Sequence, residues 1–208
     1  MSDTSSFGAT SPVAGHRLRL EVSPTFGSVQ YAGLLVDARR YFMPAPFYTI
    51  AARVMHYGRY GAGGEDQRLF PLYLGYPTLV HGYDVNSFDQ TDCPPTTTTC
   101  AAFDRLSGSR VAVGNLEFRF PLLRPFGVSQ RMYGPLPIEV AFFGDAGVAW
   151  DRGQRLGFGS NERHGVSSAG MALRANFFGY AVGELALVRP FQRPAQGWML
   201  QFSLSPGF

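Results

Sequence analysis

The chain has 208 residues, 16% of them charged, and a formal net charge of +3. Soluble domains average about 25% charged residues, and no basic run here is interleaved with aromatics, so nucleic-acid binding is excluded as a reading. No apolar stretch approaches the roughly 20 residues of a membrane helix; that excludes a helical membrane protein but not a barrel, whose apolar residues are diluted by alternation.

The first fifteen residues, MSDTSSFGATSPVAG, hold neither a basic region nor an apolar stretch and are not a secretory signal. Residues 1–15 are expected to be a disordered or linker start. For an exported protein this means a chain lacking its front, so a fragment is expected. From residue 16 onward strand candidates follow one another with almost no helix between them. Side chains on a strand point to opposite faces with period two. In His16–Pro24, Leu18, Leu20 and Val22 alternate with Arg17, Arg19 and Glu21. Val29–Phe42 sets Asp37, Arg39 and Tyr41 against Leu34, Val36, Ala38 and Phe42. Phe47–Tyr60 sets Ile50, Ala52 and Val54 against Thr49, Ala51 and Arg53.

A long loop is expected over 61–109. It contains Cys93 and Cys100, the only two cysteines, separated by Pro and Thr, which favour an exposed loop. They read as a short-range disulfide and hence an oxidising compartment. Two thiols with no further His or Cys nearby cannot complete a metal's tetrahedral shell, and no metal or other cofactor is implied.

The remaining candidates are Arg110–Leu122, Pro137–Trp150, Ser167–Phe177, Ala181–Phe191 and Gly197–Phe208. Leu116, Phe118 and Phe120 oppose Asn115, Glu117 and Arg119. Ile138, Val140, Phe142, Val148 and Trp150 oppose Glu139 and Asp145. Met171 and Leu173 oppose Arg174; Leu185 and Leu187 oppose Glu184. Most of the eight run about 9–14 residues, against a mean near 5–6 in soluble sheets and about 9–11 for a tilted membrane strand. Aromatics, 14% of the chain, gather near strand ends as in interfacial girdles. Short turns follow the second and sixth strands, longer loops the third and fifth. Every one of the 18 basic residues is Arg, which forms bidentate pairs with carboxylates and suits a crowded polar lumen. In the last strand Trp198, Leu200, Phe202, Leu204 and Phe208 share an apolar face. Bare at a soluble terminus, such an edge invites aggregation. The fold class read from the sequence is therefore all-β, an antiparallel transmembrane barrel of the outer-membrane type, with a soluble β-sandwich as the competing fold.

Three segments give the reading a family. Leu79-Val80-His81-Gly82-Tyr83-Asp84 stands in the long loop, Gly114-Asn115-Leu116-Glu117-Phe118-Arg119-Phe120-Pro121 in the fourth strand, and Phe142-Phe143-Gly144-Asp145-Ala146-Gly147-Val148-Ala149-Trp150 in the fifth. In this order, ahead of an aromatic end, they resemble the C-terminal half of the BamA-type outer-membrane assembly family, also called the bacterial surface antigen family. Several segments (YFMP, HYGRYG, RPFQRPAQGW) also look like barrels found behind TolB-like propeller domains.

The resemblance implies that the loop folds back into the lumen, where an Arg of the family's Val-Arg-Gly-Phe/Tyr motif contacts acids on the two following inner faces. By position these acids are Glu117 and Asp145, both on the polar face by alternation. His81 stands in place of the Arg. Three options stay open: His81 is protonated between carboxylates, the lock is weaker, or a neighbouring Arg substitutes. Gly82 would free the backbone at the tip and Tyr83 would pack on the inner wall. The resemblance also implies that Gly197, Trp198, Leu200, Phe202, Leu204 and Phe208 form a terminal strand recognised by the barrel assembly machinery. The family's barrels have about sixteen strands, so residues 16–208 are expected to be the C-terminal half, its partners being outer-membrane lipid and a missing N-terminal half. An eight-stranded barrel is filled by its own side chains, leaving no room for residues 61–109. An open curled sheet is expected, with edges at His16–Pro24 and Gly197–Phe208.

The implied function is assembly or insertion of outer-membrane proteins, or polypeptide translocation, at the bacterial outer membrane. The alternative is a non-catalytic anchor or passive pore for a periplasmic propeller-type domain. No nucleophile elbow, HxxxH pair or phosphate loop is present, so no enzyme is expected.

Overall fold

The period-two pattern of the sequence becomes one antiparallel meander. The computed structural model describes residues 1–93, 100–126, 137–154, 164–193 and 195–206. Eight long strands are β1 (Pro12–Thr25), β2 (Tyr31–Ala45), β3 (Tyr48–Tyr60), β4 (Arg110–Pro121), β5 (Ile138–Trp150), β6 (Val166–Phe177), β7 (Ala181–Pro190) and β8 (Met199–Pro206). Each pairs with the next in chain order, so the sheet is built from sequential hairpins. Among the described residues it is not closed: β1 and β8 do not pair with each other. Two hairpin turns, at 46–47 and 178–180, fall at the end of the sheet that also carries the start of β1 and the end of β8. The segment 61–109 springs from the opposite end.

The first residues differ from the expected linker. Ser2–Asp3 and Ser6–Phe7 are short strands that pair with β1 along its outer edge. Thr10 and Ser11 are buried, and Ser11 Oγ donates to the Glu139 carboxylate at 2.8 Å. Asn176 bonds the Ala9 carbonyl. The segment has few apolar residues, which is why it reads as a linker, but its polar groups find partners on the polar wall.

The distribution of the two faces is the reverse of a water-soluble sheet. The apolar stripes point outward and stay exposed: Leu200 is 71% exposed, Val54 65% and Leu116 58%. Most charged positions of β2 to β7 point to the concave side, and the central ones are buried: Glu139 is 2% exposed, Asp145 4% and Arg119 7%; Arg19 and Glu21 of β1 pair with each other in the open, and Arg40 of β2 stands exposed. In water this arrangement leaves apolar area uncovered and charge desolvated, both unfavourable. In lipid the same arrangement is stable, with the apolar band toward hydrocarbon. Phe42, Phe177, Phe178 and Tyr180 are exposed at one end of the sheet, Phe191 and Trp198 at the other.

What apolar core exists lies inside, between the long loop and the wall. Leu74, Val80, Tyr83 and Leu106 of the loop are fully buried against Met55, Val111, Val113, Ala149 and Val166. The loop is therefore an internal layer, packed on the sheet. Leu116→Arg, in mid-strand on the outward face, is expected to destabilise the chain folded in lipid vesicles by about 2–4 kcal/mol, read by denaturant titration.

Candidate functional site: the loop seated in the lumen

The loop enters from the end of β3 and turns against the wall at His81. The backbone N–H and Nδ1 of His81 both reach Asp145 Oδ2, at 3.1 and 2.6 Å. Nε2 lies 3.0 Å from Glu184 Oε1. The ring stands over Phe143, centroids 4.3 Å apart, and the residue is 6% exposed. A carboxylate accepts only, and a neutral imidazole has one N–H. Two carboxylates on the two ring nitrogens are both satisfied only by the imidazolium. Burial alone would push the His81 pKa down, but the hydrogen bonds and charges of Asp145 and Glu184 outweigh it and raise the value from 6.5 to about 9.

Around this ring a charged chain runs across the wall. Arg174 Nε donates to Glu184 Oε2 at 2.5 Å, and its Nη atoms fork the Glu117 carboxylate at 2.7 and 3.2 Å. Arg119 Nε donates to Glu117 at 2.7 Å. Asn115 Nδ2 donates to Asp145 Oδ1 at 2.8 Å and to the Leu79 carbonyl at 2.7 Å. Across the concave side, Arg53 bonds Asp37 and reaches the Thr78 carbonyl at 2.8 Å.

Of the acids expected to hold His81, the structure brings Asp145 to it but not Glu117. Glu117 pairs in register with Phe143, whose ring lies under the imidazole. Arg174 occupies the space between, so the second carboxylate at His81 is Glu184. A histidine is too short to reach past that guanidinium, whereas a loop arginine would compete with it. Glu184 and Arg174 read from the sequence as polar-face residues, but nothing in their spacing ties them to residue 81, since cross-strand stagger sets that proximity.

The rest of the motif is seated by shape. Val80 and Tyr83 are fully buried. Tyr83 Oη lies 2.9 Å from the Ser167 carbonyl and from Gln192 Oε1. Gly82 adopts a φ of +84°, and a Cβ there would stand 3.0 Å from Val188 Cγ1 and 3.3 Å from Pro190 Cβ. Only glycine meets both the backbone twist and the close approach to β7. The Gly82 N–H donates to Gln201 Oε1 at 2.9 Å. Asp84 caps the short turn Val85–Ser87 through Asn86 N at 2.9 Å.

Beyond the turn stands a residue the sequence reading did not single out. Arg193, between β7 and β8, is 1% exposed. Its Nη atoms donate to the Gly82 carbonyl at 2.7 Å, the Ser87 carbonyl at 2.6 Å and Asp92 Oδ2 at 2.6 Å. Its guanidinium lies 4.2 Å over the Phe88 ring. Every neighbour in the segment RPFQRPAQGW hides that role, because its targets lie about a hundred residues upstream. One residue past Asp92, Cys93 is disulfide-bonded to Cys100.

At the other end of the chain, Gly197 and Trp198 precede β8. Trp198, Leu200, Phe202 and Leu204 point outward and are exposed. Phe208 lies outside the described residues.

An inside-out antiparallel sheet with a long loop held to its polar wall is thus in place. A family model described as the Omp85 superfamily domain matches residues 5–206. The chain belongs to the Omp85 superfamily. No curated protein matches it. Omp85 barrels reside in the bacterial outer membrane and are non-catalytic. The buried acids, arginines and histidine of this Omp85 chain are accordingly wall and loop residues that neutralise one another. A cavity of about 690 Å³ remains beneath the loop tip, bounded by His81, Glu117, Arg174 and the N-terminal residues Thr10 and Ser11.

The His81 value sets a pH window. Because the folded value lies above the ordinary 6.5, the charge-dependent part of loop docking is complete below about pH 6.5 and is lost as pH rises through about 9. Limited proteolysis within 61–109 is expected to accelerate several-fold between pH 7 and pH 10. In His81→Arg, which stays charged throughout, that acceleration is expected to vanish.

Proposed function

We propose that this chain works in outer-membrane protein assembly and insertion, or in polypeptide translocation, with residues 61–109 as a lumen loop tethered through Val80, His81, Gly82, Tyr83 and Asp84. The observation that carries the reading is strand β8. It pairs with β7 on one side, and among the described residues nothing pairs with its other side. Unpaired backbone groups cost several kcal/mol each in lipid, so this edge needs a strand beside it there, either from the N-terminal half that the resemblance implies or, on the assembly reading, from a client by β-strand addition. The tethered loop supports the reading by keeping the concave side occupied while the edge is engaged. Barrel assembly machinery and client barrels are the partners this implies, beside outer-membrane lipid.

The alternative, a passive pore or an anchor for a periplasmic propeller-type domain, has less behind it. The loop and the N-terminal segment both sit on the concave side, which an open channel would leave to water.

The test is reconstitution of the purified chain into liposomes with an unfolded client barrel, the folded fraction being read by heat-dependent mobility in gels. The client is expected to fold several-fold faster than in empty liposomes. Equal rates would contradict the assembly reading, and ion conductance without acceleration would favour the pore.

A further inference from the structure

The outer face carries a cluster that neither the loop nor the edge uses. His56 and Tyr60 of β3, Arg110 of β4 and Trp150 of β5 meet at the end of the sheet from which the long loop springs. Alternation points them outward, since their neighbours Met55, Val111 and Ala149 are buried under the loop. His56 Nε2 lies 2.7 Å from Tyr60 Oη, and the His56 ring stacks on Trp150 with centroids 5.6 Å apart. The Arg110 guanidinium lies 4.7 Å over the Tyr60 ring.

The floor of the cluster is Gly58, the register partner of Arg110, which in turn pairs with Trp150. A Cβ on Gly58 would stand 2.9 Å from Tyr60 Cε2 and 3.1 Å from Arg110 Cγ. The missing side chain is what lets ring and guanidinium close over the strand.

Arg110 is chemically unfinished. Its Nε is buried with no hydrogen-bond partner, and among the described residues its guanidinium makes no ion pair. Glu65 feels its charge only through space; that carboxylate accepts hydrogen bonds from Ser109 Oγ and the Arg152 N–H instead. Along β4 the other outward positions, Ala112, Gly114, Leu116, Phe118 and Phe120, are all uncharged. Arg110 therefore stands one pleat beyond the apolar band, where headgroups begin. Aromatic rings anchor at that level, and a guanidinium with free donors fits phosphate oxygens bidentately.

We propose that His56, Tyr60, Arg110 and Trp150 form a binding site for the phosphate of a lipid headgroup in the leaflet on the long-loop side. That is the outer leaflet, because outer-membrane barrels carry their longer loops outside. Arg110 donates to the phosphate oxygens, and the Trp150 and Tyr60 rings pack against the adjoining sugar or glycerol. The same chemistry would accept free phosphate. The lipid is the source the geometry favours, because the site opens on the apolar face with aromatic bodies beside the cation.

The test uses the full chain in non-ionic detergent and native mass spectrometry with three probes: a bisphosphorylated glucosamine glycolipid (lipid A), the same glycolipid without its phosphates, and inorganic phosphate. The phosphorylated glycolipid is expected to bind about tenfold or more tightly than the dephosphorylated one, as a charge-assisted bidentate contact implies. Arg110→Gln is expected to abolish that preference, while Arg59→Gln, on the inward-facing position next to Gly58, retains it. If Arg110→Gln does not fold, Arg110→Met, apolar among apolar neighbours, is expected to show the same loss. Equal binding of the two glycolipids by the unmodified chain, or a preference that survives at Arg110, would overturn the site. Inorganic phosphate binding as tightly as the glycolipid would overturn its assignment to lipid.

Discussion

Charge that faces the concave side of this sheet has to be neutralised there, because the other side is apolar. From this constraint comes a continuous chain of contacts: Asp145 to His81, His81 to Glu184, Glu184 to Arg174, Arg174 to Glu117 and Glu117 to Arg119. Five of the six belong to the wall. The sixth, His81, belongs to the loop. As an imidazolium it supplies the positive charge that two buried carboxylates require. The loop is thus part of the electrostatic closure of the wall. Removing one member of such a network strands a desolvated charge, which costs more than the pair itself contributes.

Apolar packing and polar contacts divide the work. The loop buries Leu74, Val80, Tyr83 and Leu106 on the wall, giving non-directional attraction. Orientation comes from His81 at the tip and from Arg193, which gathers the Gly82 carbonyl, Ser87 and Asp92 around one guanidinium. The disulfide between Cys93 and Cys100 closes the chain just past that point. The loop is held from two sides, one through β5 and β7, the other through the connection between β7 and β8. Movement of β8 would therefore be felt at Gly82, through Arg193 and through Gln201, whose side chain accepts the Gly82 N–H.

All eight long strands were legible in the sequence, their ends within a few residues, because period two over 8–15 residues is a strong signal. The polar and apolar faces were equally legible. Which face points inward was not a matter of periodicity; it followed from strand length, aromatic ends and family resemblance. The N-terminal segment escaped because its pairing rests on backbone groups and on Ser11, which carry no periodic signature. At the site, Val80 to Asp84 and Asp145 stood out as a motif, while Glu184, Arg174 and Arg193 did not. Those three meet the loop through tertiary stagger and through a turn about a hundred residues away, which a single sequence does not encode locally. The departure of His81 from the family's Arg left three options open. In the geometry the imidazole lies between two carboxylates, Arg174 stands at Glu117, and Arg193 braces the same loop from the far side.

The same rule, that a cation near hydrocarbon needs a partner, links the inner wall to the outer face. Inside, each guanidinium of the chain above has its carboxylate. Outside, Arg110 has aromatic rings and, among the described residues, no carboxylate partner. The account as a whole turns on the loop being held electrostatically by the wall. The most direct test is a double-mutant cycle on His81→Gln and Glu184→Gln, with unfolding measured in vesicles near neutral pH. The account predicts that the two losses are not additive, with a coupling of about 1–3 kcal/mol. Additive losses, with coupling near zero, would contradict it and leave the loop held by apolar packing and Arg193 alone.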